Sequence, residues 1–174
     1  MLDVDATYVS GTWWRHVPAG GDVFYEAEVP ADNRWQRGEV VDAWYHADEP
    51  ATVWAEWYRA LAGLGMAPGV MLPRDLWAWE LSVTRVADLS DAQRLARVGL
   101  RVPRPGRTRW SAFQRVGETL FAEGYQALIA PSAARPERLV VCAFRPEREI
   151  PGARPIPPPQ TIDEPPTVPT GMTT

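Results

Sequence analysis

Five side chains spread along the chain are of types that could do chemistry together: Arg15 in Trp13-Trp14-Arg15-His16, Arg34 in Asn33-Arg34-Trp35, Tyr45 in Trp44-Tyr45-His46-Ala47, Glu56 in Trp54-Ala55-Glu56-Trp57, and Ser132 in Ala130-Pro131-Ser132-Ala133. Guanidinium groups are planar, permanently charged forks that match a phosphate with two parallel hydrogen bonds, so two of them suit a bound anion. A carboxylate nearby steadies positive charge that develops on a reacting sugar, an aromatic face stacks on a ring, and a hydroxyl donates to and accepts from its neighbours. Brought to one cleft, these types would grip an anion and stabilise a cationic reacting centre beside it.

The elements that must position them are legible in part. Thr12–Val17 reads as a strand, and strand alternation places Arg15 on the same face as Trp13 and Val17, an unusual setting for a purely solvated charge. Arg34 and Arg37 lie in a Gly/Pro/Asp-rich connection before a second strand, Val40–Ala47, which Tyr45 nearly closes. Asp48 offers an N-cap ahead of Pro50, and Val53, Trp54, Trp57, Tyr58, Leu61 and Leu64 recur at helical spacing until Gly63 and Gly65. On that periodicity alone Glu56 points away from the stripe of Trp54, Tyr58 and Leu61 and pairs with Arg59 at i+3. A second stripe through Val53, Trp57, Ala60 and Leu64 covers another side of the helix and leaves Glu56 at a cleft edge.

Leu76–Val86 reads as a third strand, and Ser90 with Gln93 as a capping box for a helix ending at Gly99. Phe113, Val116, Leu120 and Phe121 mark an amphipathic helix stopped by Gly124. Ala127–Ala130 and Leu139–Phe144 then read as buried strands joined through Pro131-Ser132-Ala133, with Cys142 as a small buried hydrophobe. Strands and helices do not alternate regularly, so the class is α+β in a single domain over residues 1–145. From Pro146 to Thr174 the chain is crowded with prolines and lacks aromatics, which predicts an extended, largely disordered tail; a docking peptide is the functional alternative.

Over most of this body the chain resembles the RES domain, a family named for its Arg, Glu and Ser. The resemblance rests on Arg15 closing the first strand, Arg34-Trp35 before Gly38, Tyr45-His46-Ala47-Asp48, Ala51-Thr52 leading to Glu56, and Ile129-Ala130-Pro131-Ser132-Ala133 after a helix holding Gln114. Gln36 stands where the family often has Asn. The resemblance implies a mixed fold of mainly antiparallel sheets with flanking helices, similar to ADP-ribosylating toxins, and an enzyme that consumes NAD. It implies catalytic Glu56, Arg15 and Ser132, with Arg15, Arg34, Tyr45 and Ser132 binding substrate, Ser132 either by a hydrogen bond to it or by orienting Glu56. NAD is then a substrate and no cofactor is needed, with inorganic phosphate the co-substrate of a phosphorylase, water that of a glycohydrolase, and a protein that of an ADP-ribosyltransferase. A non-catalytic binding protein on the same fold is the rival from another class. The partner such toxins have is a separate helix-turn-helix antitoxin of the Xre-like kind, and association with further copies of the chain is left open.

Composition bounds the remaining classes. The chain has 174 residues, 45% of them hydrophobic, enough for one domain with a core. A net charge of -4 argues against general binding to nucleic acid or an anionic membrane. No apolar run approaches a membrane span, and the amino terminus lacks the features of a secretory signal, so a cytoplasmic location is expected. His16 and His46 have no further ligands at metal spacing, so no metal is expected. The stretch from Arg94 to Arg109 holds six arginines, read either as a solvated basic loop or as a surface that docks an acidic partner or steers an anionic substrate.

Overall fold

A computed structural model of the protein describes every residue except Glu26 and Thr174. In chain order the elements are β1 (Ala6–Pro18), β2 (Asp42–Ala47), α1 (Pro50–Leu64), β3 (Arg74–Asp88), α2 (Ala92–Arg97), α3 (Trp110–Ala122), β4 (Ala127–Pro131), β5 (Leu139–Arg145) and β6 (Ala153–Ile162), with a short 3-10 turn at Pro68–Met71. The class is α+β in one domain.

The sheet closes on itself. β1 pairs antiparallel with β3 from Ala6↔Ala87 to Pro18↔Arg74, and its other edge touches β2 through Trp14↔Ala47. β2 pairs with β5, β5 with β4, and β4 runs parallel to β3 at Val86–Asp88, completing a five-strand ring with β6 outside it. All five ring strands contribute to one apolar cluster that includes Val9, Trp13, Trp44, Trp79, Ile129 and Val141. Because side chains alternate along a strand, the next residues on β4 and β5, Leu128, Ala130, Cys142 and Phe144, face the other way and pack with Leu95, Phe113 and Leu120 of α2 and α3. Helix α1 buries Val53, Trp54, Trp57 and Leu61 against Ala47, Leu76 and Val140. The stripe through Trp54 and Leu61 is buried, and the second stripe only over Val53 and Trp57, since Ala60 and Leu64 are exposed and line the cleft beside Glu56.

Local chemistry at the helix ends differs from expectation by single residues. The N-cap of α1 is Glu49, while Asp48 braces the junction by accepting from Thr52 Oγ1 at 3.0 Å and from the Leu139 amide at 3.1 Å. On α2 the N-cap is Asp91, whose carboxylate accepts from the Arg94 amide at 2.8 Å, and Ser90 instead bonds Asp88 at 2.6 Å.

The proline-rich tail also departs from its reading as disordered. Residues Ala153–Ile162 form β6 and pair antiparallel with the first half of β3. Proline supplies no N–H, so it is compatible with an edge strand, and β6 occupies the sheet edge with Pro155, Pro157, Pro158 and Pro159. Beyond it the chain returns to the body, where Tyr58 donates to the Pro166 carbonyl and the Thr173 amide to the Ala134 carbonyl at 2.9 Å.

The loop that carries Arg34 is pressed onto α3 at Gly117, where an added Cβ would lie 1.9 Å from the carbonyl oxygen of the buried Trp35. Gly117→Ala is expected to cost roughly 2–4 kcal/mol in urea unfolding, because neither backbone can give way. Gly63→Ala, at a helical position with open space around it, is expected to gain up to about 1 kcal/mol. Equal effects at the two sites would contradict the packing described.

Candidate active site

Four of the five residues, Arg15, Arg34, Tyr45 and Glu56, line one cleft of 570 Å³, and the fifth, Ser132, lies directly behind its wall between Pro131 and Ala133. The cleft's lining comes from β1, β2 and helix α1, from the connection between β1 and β2, and from Pro105, Gly106, Arg107 and Trp110.

Glu56 is held from behind. The Ser132 hydroxyl donates to Glu56 Oε1 at 2.5 Å and in turn accepts from the Ala134 and Arg135 amides at 3.2 and 3.0 Å. The Ala134 amide also reaches Glu56 Oε1, at 3.3 Å. With both backbone donors aimed at its oxygen, the hydroxyl proton is left to point at the carboxylate, a charge-assisted bond that fixes its position. Ser132 is fully buried, so the geometry uses it on Glu56 and leaves no exposed hydroxyl for a ligand. The i+3 pairing of Glu56 with Arg59 is absent from the ion pairs among the described residues; the carboxylate turns to the Ser132 loop, and Arg59 lines the same cleft.

That loop is fastened to α1 by a second set of contacts. Arg135, almost wholly buried, donates to Glu49 and, at 3.3 Å, to Thr52 Oγ1, while Arg138 pairs with Glu49 at 3.1 Å. Thr173 Oγ1 adds a bond to the Ala133 carbonyl at 3.0 Å. Nothing in the sequence pattern around Arg135 marks it, since loop arginines are common and its partners lie on another element.

Arg15 lines the cleft from β1. Its guanidinium lies over the Trp44 ring at 4.4 Å, a ring that the buried Arg145 also approaches, at 4.2 Å. The two cations differ in their surroundings. Arg145 is ion-paired with Asp42 at 3.0 Å and donates to the Phe24, Tyr25 and Arg148 carbonyls, whereas Arg15 Nη1 is buried without a hydrogen-bond partner among the described residues. Burial, followed by repulsion from Arg145, pulls the pKa of Arg15 down to about 10, which leaves it charged at neutral pH. Beside it, His46 is fully buried with neither ring nitrogen partnered, and burial followed by the charge of Arg15 keeps the ring neutral.

Arg34 and Tyr45 are coupled through the loop between them. The Tyr45 hydroxyl donates to Gln36 Oε1 at 2.8 Å and accepts from the Trp35 amide at 3.1 Å, pinning the two residues that follow Arg34. Gln36 is fully buried and donates to the Ala31 carbonyl at 3.3 Å; its amide gives the loop a donor and an acceptor from one side chain. Arg34 is steadied by the Arg104 carbonyl, which accepts from Nη2 at 2.8 Å, and by the face of Phe113 at 5.5 Å. Burial lowers its pKa, and the negative charge of Glu56 opposes that shift, which places the fork and the carboxylate in the same electrostatic environment.

The RES domain matches residues 10–163, and the chain belongs to that family. Its fold is like that of a chain in the Mycobacterium tuberculosis MbcT–MbcA toxin–antitoxin complex, with a TM-score of 0.73 at 22% identity over 91% of this chain and 86% of that one. No curated protein matches the chain by sequence.

The two histidines give the site a pH signature. His16 stacks on Trp54 at 5.4 Å and accepts from Arg74 Nε at 3.1 Å, and burial followed by the Arg74 charge drops its pKa to about 3. The folded pKa of both rings lies below the ordinary value, so their contribution to stability is complete above about pH 6.5 and is lost as pH falls and the unfolded chain takes up protons that the folded chain does not. Between about pH 7.5 and about pH 5.5 each is expected to cost about 1.4 kcal/mol, read from urea midpoints. The chain has only these two histidines, so a flat profile over that range would contradict their burial as neutral rings.

Proposed function

We propose that the protein is a NAD-consuming enzyme of the toxin type, which breaks the bond between nicotinamide and ribose. The observation that carries this reading is the fixed Glu56 carboxylate in the same cleft as the Arg15 and Arg34 guanidiniums. In the reaction the glycosidic electron pair leaves with the pyridinium nitrogen, so nicotinamide departs neutral and the ribose carbon gains oxocarbenium character. A carboxylate locked beside that carbon stabilises the cation without reorganising, and the arginines hold the diphosphate so that the bond lies against it. Tyr45 supplies an aromatic wall for the nicotinamide ring as well as anchoring the Arg34 loop.

The acceptor oxygen then attacks the same carbon. Phosphate adds directly and gives a ribosyl phosphate; water adds and releases a proton. Arg15 lines the cleft, and its charge is not neutralised by an ion pair among the described residues, so it favours an anionic acceptor there, which supports phosphorolysis over hydrolysis. Transfer to a protein remains the rival reaction. The likeness to a chain of a toxin–antitoxin complex supports growth arrest as the outcome and a separate antitoxin as the partner, for which the family resemblance suggests the Xre-like helix-turn-helix kind.

Incubation of the purified protein with NAD, with and without inorganic phosphate, tests the reading by chromatography of the products. Nicotinamide release that requires phosphate is expected, and Glu56→Gln is expected to lower kcat by about 100-fold or more and to relieve growth arrest. No release of nicotinamide under either condition would overturn it.

A further inference from the structure

We infer that a second cavity, which shares Arg34 and the Pro105-Gly106 turn with the cleft as lining, binds the adenylate half of the dinucleotide. It measures 730 Å³, and the two volumes each fall within the roughly 300–1,000 Å³ of small-molecule sites. This inference rests on the NAD reading for the identity of the ligand, but its evidence is separate.

The charge distribution points to an anion. Of the six arginines between residues 94 and 109, the two on α2 are spent on carboxylates: Arg94 pairs with Asp88 at 3.1 Å, and Arg97 with Asp3 and Asp5, each at 2.7 Å. The four on the following loop, Arg101, Arg104, Arg107 and Arg109, make no ion pair among the described residues. Arg101, Arg104 and Arg109 line the second cavity with Arg34, no Asp or Glu lines it, and Arg107 faces the first cleft. In a chain of net charge -4 a cavity walled by four cations and no anion is a local field that concentrates phosphates.

The shape agrees with the charge. A dinucleotide is two nucleosides joined by a diphosphate, and here two cavities meet at a shared wall whose one charged residue is Arg34. A diphosphate on Arg34 sends its nicotinamide ribose toward Glu56 and its adenosine toward the wall formed by Leu100, Val102, Ala112 and Phe113. Apolar and aromatic groups with arginine planes around them are the surroundings that a purine takes. The bond from Arg34 to the Arg104 carbonyl couples the fork to the wall of the second cavity, so filling that cavity also sets the fork.

The test uses AMP, which has the adenylate half and no scissile bond, together with NAD. The full chain is expected to bind AMP in a calorimetric or NMR titration, the double variant Arg101→Ala/Arg109→Ala to bind it at least 10-fold more weakly, and Glu56→Gln to bind it as the parent does. With NAD the double variant is expected to raise KM about 10-fold with kcat changed less than about 2-fold. Both side chains are exposed, so the fold should tolerate their loss, which circular dichroism verifies; Arg104→Gln, which keeps the carbonyl that holds Arg34, is the second variant. AMP affinity unaltered in these variants, or abolished by Glu56→Gln alone, would overturn the assignment. AMP binding that depends on the arginines in a protein that releases no nicotinamide would sustain the cavity and overturn the NAD-cleavage reading instead.

Discussion

The Ser132 hydroxyl donating to Glu56 is the contact on which the rest of the site depends, because it fixes a charge that neither its helix nor its loop would hold alone. A carboxylate on an exposed helical face samples several rotamers and is solvated by water. Here it is anchored by a hydroxyl whose proton has been directed at it by two backbone amides, at 3.0 and 3.2 Å from the serine oxygen. Much of the surrounding structure exists to bring that hydroxyl to that helix. The parallel pairing of β3 with β4 sets where β4 ends, the antiparallel β4–β5 pairing sets where the loop returns, and Arg135 with Arg138 fastens the loop to Glu49 at the start of α1. The strand ring and the helix are thus two rigid bodies clasped at the point where the charge is needed, the arrangement that preorganised electrostatics requires.

The same logic separates structural from available cations. Arg37, Arg94, Arg97, Arg135, Arg145, Arg148 and Arg154 are paired with carboxylates. Arg15, Arg34 and the loop arginines 101–109 are held by aromatic faces or carbonyls, or face a cavity. A guanidinium that leans on an indole or a carbonyl keeps most of its donors and its full charge, so it is positioned without being neutralised. That difference gives an acidic protein a basic interior cleft.

Much of the site was legible from residue types in order, and much of the fold from periodicity. The strand alternation that put Arg15 beside Trp13 and Val17 marked it as inward-facing, and the two apolar stripes of α1 left Glu56 at a cleft edge. What periodicity withheld was partnership across elements. Helical spacing paired Glu56 with Arg59, yet the carboxylate found Ser132, 76 residues away, a partner that the family resemblance offered and periodicity could not. Tyr45 reads as a stacking surface, while its hydroxyl also organises the Arg34 loop through Gln36 and the Trp35 amide. The tail was misread because composition reports how little a segment can bury, and an edge strand needs to bury little when its partner β3 already offers a row of unpaired donors and acceptors.

The central claim is that Ser132 acts through Glu56, and a double-mutant cycle on nicotinamide release measures it most directly. Rates for Ser132→Ala, Glu56→Gln and the pair of changes together are compared with the parent protein. If the hydroxyl works by fixing the carboxylate, its removal costs rate only while the carboxylate is present, so the double variant should be no slower than Glu56→Gln within about 2-fold. Losses that instead multiply, each substitution costing the same factor whether or not the other is present, would show the two groups acting independently and would contradict the account.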